Sequence, residues 1–190
     1  MNHASSNAIG ALWAAWALYW FVVARDVKAT LRRETPAARL LHVGPLLICA
    51  VLFVAPRILP AALDRRFLPS AFLLSWIGSL MVAAGLAFAV WARRHLGRNW
   101  SGAVALKREH ALIRSGPYRF VRHPIYAGLL LAILGSAVAF GEWRGLLGLA
   151  FAFIAIIHRV RAEDALMSET FGEEYRDYRR HTKALLPFLV

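Results

Sequence analysis

Five stretches of this chain are almost free of charge and each is bounded on at least one side by Arg or Lys: 9–24, 40–55, 70–91, 126–140 and 145–157. So much apolar surface in so few blocks cannot be buried inside a water-soluble body of 190 residues, 59% of them apolar, with a mean hydropathy of +0.50. The solvent of the core must include lipid. The blocks predict an all-α fold, a polytopic membrane helical bundle of about five transmembrane helices. Only 70–91 comfortably reaches the ~20 residues that cross ~30 Å of hydrocarbon. At a 1.5 Å rise the segment 126–140 covers roughly 22 Å. It and the next segment therefore read as a tilted or extended hairpin around Glu142, Trp143 and Arg144, or as a re-entrant one.

The net charge of +12 raises the question of nucleic acid, and the placement of the 23 Lys and Arg answers it. Counted by alternate segments, 19 fall on one side of the bundle and four on the other. Basic residues are retained in the cytoplasm, so the N-terminus is expected outside, and the large third loop and the C-terminus inside. Membrane lipids with anionic headgroups are the expected bulk partner. No nucleic-acid motif is present, so no nucleic-acid partner is expected.

The first span lacks the basic flank and small-residue cleavage site of a signal peptide and is expected to stay in the mature protein. The single cysteine, Cys49, lies within a span and reads as a small buried apolar residue. The seven histidines, at 3, 42, 95, 110, 123, 158 and 181, show no His-x-x-x-His pair, so a dedicated metal site is not expected.

Chemistry concentrates in 110–128, which holds His110, His123, Pro117, Pro124, Tyr118, Tyr126 and three arginines at the mouth of an apolar helix. Because proline disfavours a helical residue before it, Gly116 and His123 are predicted extended, with a helix beginning at Pro124. His123 then sits at a helix N-terminus, where free N–H groups favour an anion. After the last span Arg159, Glu163, Met167, Phe171 and Tyr175 recur every four residues, with Tyr178 three further on. This predicts one helix presenting one stripe. An acid on its apolar side needs a cation or hydrogen-bond donor. That partner is either a ligand or Arg159 in an i,i+4 ion pair. Glu173, Glu174, Arg176, Asp177, Arg179 and Arg180 read as the solvated face of the same helix, and Leu185, Leu186, Pro187 and Phe188 as an apolar turn that docks back on the membrane or the bundle.

Three ordered elements, spread over roughly residues 70–190, resemble the isoprenylcysteine carboxyl methyltransferase family and the related phospholipid methyltransferases. They are His110-x-Leu112-Ile113-x-x-Gly116-x-Tyr118, then Arg122-His123-Pro124-x-Tyr126-x-Gly128. The third is Arg159-x-x-x-Glu163-Asp164, followed by Phe171-Gly172-x-Glu174-Tyr175 and Pro187. The resemblance implies S-adenosyl-L-methionine as cofactor, bound between the cytoplasmic third loop and the C-terminal helix. It implies His110, Leu112, Ile113, Tyr118, His123, Pro124, Tyr126 and Glu163 as cofactor contacts. Arg159 is implied as the acceptor-binding residue, with Arg159 and Glu163 the catalytic pair. The acceptor is a lipophilic small molecule or prenylated partner with a carboxylate. The chain divides into an N-terminal region 1–69 with two spans and a catalytic region 70–190. Composition points to a bacterial inner membrane.

Asp164 stands where the family usually has a second glutamate. Asn99-Trp100-Ser101-Gly102-Ala103 replaces a stretch with a glutamine in the eukaryotic enzymes. Sterol reductases, which use NADPH, share an Arg-His-x-x-Tyr element but favour Asn where this chain has Ile125 and an acid where it has Leu129. They are the rival enzyme class. A non-catalytic membrane protein on the same scaffold is the other alternative. The sequence leaves the oligomeric state open.

Overall fold

The computed structural model describes residues 3–24, 35–55, 58, 60–100 and 111–186, and the backbone alone of 30–33 and 105–107. Helices α1 (His3–Val23), α2 (Pro36–Val54), α3 (Phe72–Leu96), α4 (Pro124–Phe140) and α5 (Trp143–Phe171) form the bundle, and the short α6 (Glu173–His181) follows. Four of them, α1, α2, α3 and α5, are long and apolar enough to cross a membrane, and α4 is apolar but has 17 residues. Large side chains exposed along the spans are apolar, among them Phe21, Leu47, Leu73 and Leu80. The outside of this bundle is as greasy as its inside, which suits lipid rather than water.

Local chemistry sets the helix ends. The Thr35 hydroxyl accepts from the Ala38 N–H at 3.2 Å, with Pro36 at the first position of α2. Pro124 likewise opens α4, and Gly141, at φ +65°, closes it. Two strands, β1 (Thr30–Arg33) and β2 (Ala105–Lys107), pair antiparallel and join the first loop to the third. The hydrophobic pattern gave no sign of this ribbon. It ties together the two loops that the charge count assigns to one side.

The centre of the bundle is a contact between backbones. Gly78 faces Gly135, and Gly85 faces Gly128, an antiparallel register repeating every seven residues. A Cβ added at Gly135 would sit 2.6 Å from the Gly78 carbonyl oxygen, and one at Gly128 would sit 2.5 Å from that of Gly85. Ile9, Leu12, Trp13 and Trp16 of α1 pack on this seam, where Trp13 Nε1 donates to Ser136 Oγ at 3.1 Å. On the far side α2 packs on α5, with Cys49 buried beside Ile133 and Ala152 as its apolar reading expected.

The polar break between the last two spans becomes a clasp. Arg144 is buried in the first turn of α5, where Nη1 donates to the Leu52 and Phe53 carbonyls at 2.9 and 3.2 Å. These carbonyls belong to the last turn of α2 and lack partners within the helix. Glu142 at 2.6 Å and Asp64 at 3.3 Å balance the buried charge.

Candidate active site

At the end of the bundle where α4 begins, a carboxylate gathers three groups. Glu163 Oε1 accepts from the Tyr126 hydroxyl at 2.6 Å and from Arg159 Nε at 3.0 Å, while Oε2 lies 3.4 Å from His123 Nδ1. Arg159 Nε also donates to the Tyr126 oxygen, and its guanidinium lies 5.6 Å from the Tyr126 ring centre. The i,i+4 ion pair of Arg159 and Glu163 therefore exists, and it is part of a larger cluster at the edge of a cavity.

His123 has a second carboxylate on its other side, with Nε2 2.9 Å from Asp164 Oδ1, and its ring stacks on Tyr126 at 5.8 Å. Burial opposes a charge on this imidazole. Its hydrogen bonds to Asp164 and Glu163 and the charges of both carboxylates outweigh that, so its pKa stands above the ordinary value. The acid at each ring nitrogen favours the protonated imidazole. Asp164 in turn accepts from Arg122 Nη2 at 3.1 Å and from the Tyr175 hydroxyl, with Arg179 3.8 Å away. Burial, reinforced by Asp164, raises the pKa of Tyr175, so its hydroxyl remains a donor.

The tail closes over this cluster. The N–H groups of Arg122 and His123 donate to the Lys183 and Ala184 carbonyls at 2.8 and 2.9 Å, and Arg122 Nη1 donates to the Thr182 carbonyl. Ala184 and Leu185 are buried against Ile156 and Val160, whereas Leu186 is exposed and Pro187 and Phe188 lie outside the described residues. The Tyr178 hydroxyl donates to the Tyr118 carbonyl, and burial pushes its pKa up to about 12. Tyr118 is pushed up too, first by burial and then by Glu163.

Three local expectations change. The stripe from Arg159 to Tyr178 does not lie on one helix, because Gly172, at φ +54°, ends α5 and turns the chain into α6. The four-residue spacing survives a break that only glycine makes cheaply, which is why periodicity could not see it. Gly116 avoids the helical region as proline demands, but at φ +59° rather than as an extended residue. His123 does begin α4, yet its own N–H is taken by Ala184 and is not free for an anion.

A cavity opens beside the cluster. It holds about 130 Å³ and is open to solvent at its mouth. Of the expected contacts, Leu112, Ile113 and Tyr118 line it from the third loop. His123, Pro124, Tyr126 and Glu163 line it from α4 and α5. Arg159 is bonded to two of these, and His110 lies outside the described residues. Sequence reasoning gave no site role to Asn99, Trp100, Met167, Tyr175 or Tyr178, which also line the cavity. Arg122 and Asp164 were quoted in motifs, but only the structure shows Asp164 bonded to both His123 and Arg122. Glu174 and Arg179, assigned to the solvated face, reach Arg114 at 2.8 Å and Asp164 at 3.8 Å.

A membrane bundle that gathers Arg, Glu, His and Tyr at one end of a cavity is built as an integral membrane enzyme, and its relatives make it a methyltransferase. The phospholipid methyltransferase family matches residues 73–174, and the chain belongs to that family. It is 29% identical over 163 residues to a probable protein-S-isoprenylcysteine O-methyltransferase of Oryza sativa subsp. indica, covering 83% of this chain and 84% of the relative. It is 32% identical over 117 residues to the cobalt-zinc-cadmium resistance protein CzcN of Cupriavidus metallidurans, covering 60% of this chain and 53% of the relative. Among solved structures it resembles the eukaryotic intramembrane Ras methyltransferase ICMT (isoprenylcysteine carboxyl methyltransferase), with a TM-score of 0.56 and 21% identity. That match covers 84% of this chain and 55% of the other, and it speaks to the fold alone.

Proposed function

We propose that this chain binds S-adenosyl-L-methionine in the cavity and methylates a lipophilic acceptor that ends in a carboxylate, an isoprenylcysteine-like or prenylated molecule. The arrangement that carries this proposal is the Arg159–Tyr126–Glu163 cluster beside an apolar-walled cavity at the end of a membrane bundle. Charged and aromatic groups suit the amino acid and sulfonium of the methyl donor: His123, Glu163 and the Tyr126 face. Leu112, Ile113, Tyr118 and Pro124 suit its apolar remainder, and His110 is assigned to the same pocket by its motif.

When bound, the cofactor supplies a methyl group activated on a sulfonium. The acceptor oxygen gains a bond to that carbon as the carbon–sulfur bond breaks; opposite charges cancel and no proton moves. A carboxylate therefore needs no general base. Arg159 orients it, and the ion pair with Glu163 tempers the guanidinium charge so that the acceptor stays nucleophilic. The fixed dipoles of Tyr126 and Arg159 act at low dielectric, where they count for most.

The residues of this cluster all fall within 70–190, which supports that region as the catalytic unit and 1–69 as an added pair of spans. The ribbon between the first and third loops, with the basic asymmetry, supports a cytoplasmic site, an outside N-terminus and a cytoplasmic C-terminus in a bacterial inner membrane. Calorimetry on detergent-purified protein tests the cofactor. S-adenosylmethionine and S-adenosylhomocysteine should bind and NADPH should not. Binding of NADPH alone would overturn the proposal in favour of a reductase.

A further inference from the structure

We infer that Asn99 reads the adenine of the bound methyl donor, its side-chain oxygen accepting from the exocyclic amine. This rests on the methyl-donor reading above and adds to it a residue that selects the base.

Asn99 lines the cavity, and its Oδ1 is buried with no hydrogen-bond partner. A buried carbonyl oxygen left unpaired is costly, and because Asn99 lines the cavity, a ligand's donor is what would satisfy it. The turn that carries it is held from three sides. Arg93, buried at the end of α3, donates through Nη1 to the Gly97 carbonyl at 2.7 Å and through Nη2 to the Val23 carbonyl of α1 at 2.8 Å. The same guanidinium lies 4.6 Å from the Trp100 ring centre, and Trp100 meets Trp20 of α1 edge to face at 5.6 Å. Gly97, at φ +56°, makes the turn possible. Asn99 is therefore carried by a turn braced against α1 and α3.

The cavity wall is divided. His123, Glu163 and Arg122 lie together through the carboxylate cluster, whereas Asn99 neighbours Leu96 and Trp100, which pack in one apolar group with Ile113. The amino acid of the methyl donor belongs with the charges. Its flat, neutral base belongs with the apolar group, and there one amide supplies what an adenine edge requires: an acceptor for the amine and a donor for a ring nitrogen.

The test pairs two ligands with three proteins by calorimetry. One ligand is S-adenosylhomocysteine, and the other is its analogue with hydrogen in place of the exocyclic amine. The wild type should bind the analogue about tenfold more weakly, because no rotation of the amide restores a partner for Oδ1. Asn99→Leu, close in shape, should bind both ligands equally and as weakly as the wild type binds the analogue. Asn99→Asp keeps an acceptor and should keep a preference of about threefold for the amine, so a general loss of folding cannot mimic the result. Retention of the tenfold preference in Asn99→Leu would overturn the assignment. Equal binding of both ligands by the wild type would overturn it too, with the methyl-donor reading intact. Failure of the wild type to bind either ligand would remove both.

Discussion

The seam between α3 and α4 and the cluster at the start of α4 share one helix and hold it by opposite means. Along the seam, Gly78, Gly85, Gly128 and Gly135 let two backbones touch, and every added atom is an intrusion. At the cluster, side chains from α4, α5, α6 and the tail meet through charges and hydroxyls, and every removed atom leaves a buried group unpaired. Steric identity matters at the seam and electrostatic identity at the cluster. The contrast has a physical source: lipid gives no hydrophobic drive for helices to associate, so close packing must supply it, whereas the membrane boundary lets charges persist if they are paired.

The largest effect should come from filling the seam. A Cβ at Gly85 already strikes the Gly128 carbonyl oxygen and comes within 2.7 Å of the Ala132 nitrogen, so Gly85→Leu must force α3 from α4. The expected cost reaches or passes the top of the ~1–3 kcal/mol range for overpacking. Size-exclusion chromatography in detergent should show no monodisperse protein, and Gly85→Ala should unfold at a lower temperature than the wild type. A Gly85→Leu protein with the wild-type transition would mean that backbone contact does not set the bundle.

The cluster should respond to Arg159→Ala with activity rather than folding. Methyl transfer to a prenyl-cysteine analogue, followed by tritium, should fall at least ~100-fold with affinity for S-adenosylmethionine nearly unchanged, because a misplaced nucleophile forfeits the orientation term. Arg159→Lys should recover only part, since lysine lacks the planar fork. Loss of cofactor binding would move Arg159 into the cofactor site. Unchanged transfer would favour an acceptor amine over a carboxylate.

The two regions were not equally legible in the sequence. The spans and the motifs around Tyr118, His123, Tyr126, Arg159 and Glu163 could be read because apolar blocks and ordered polar residues leave a local trace. The seam could not, because glycines seven apart mark it only once the partner helix and its register are known. The break at Gly172 was hidden by a periodicity that continues across it. Asp164 and Arg122 stood within quoted motifs, but Asp164 bonds both His123 and Arg122 from about 40 positions away, which no spacing reveals. Asn99 is conspicuous only as an unpaired buried atom, a property of the folded chain.

Glu163→Gln sharpens the contrast by keeping shape while removing charge. It should weaken S-adenosylmethionine binding by roughly 1–3 kcal/mol, since a charged acceptor in a partly desolvated site becomes a neutral amide that must also reorganise toward Tyr126 and Arg159. Calorimetry measures this directly. Unchanged affinity would confine Glu163 to its ion pair with Arg159.

The smallest effect is the most specific to the cluster. His123 titrates above the ordinary ~6.5, because Asp164 and Glu163 overcome the burial that opposes its charge. A raised folded pKa means that the charged imidazole contributes its full stabilisation below ~6.5 and loses it as pH rises through the folded value. One proton limits the slope to ~1.4 kcal/mol per pH unit. Thermal unfolding in detergent should therefore show the wild type losing stability between mildly acidic and alkaline pH. His123→Gln, which keeps a hydrogen-bonding group without the charge, should start less stable at pH 6 and lack that decline. Hydrogen exchange should show the loss first in α6, because His123 reaches Tyr175 through Asp164, while the glycine seam, which contains no titrating group, stays protected. Equal declines in both proteins would assign the titration to another group, and an early loss of protection at the seam would mean that the two regions are not separate in the way their chemistry implies.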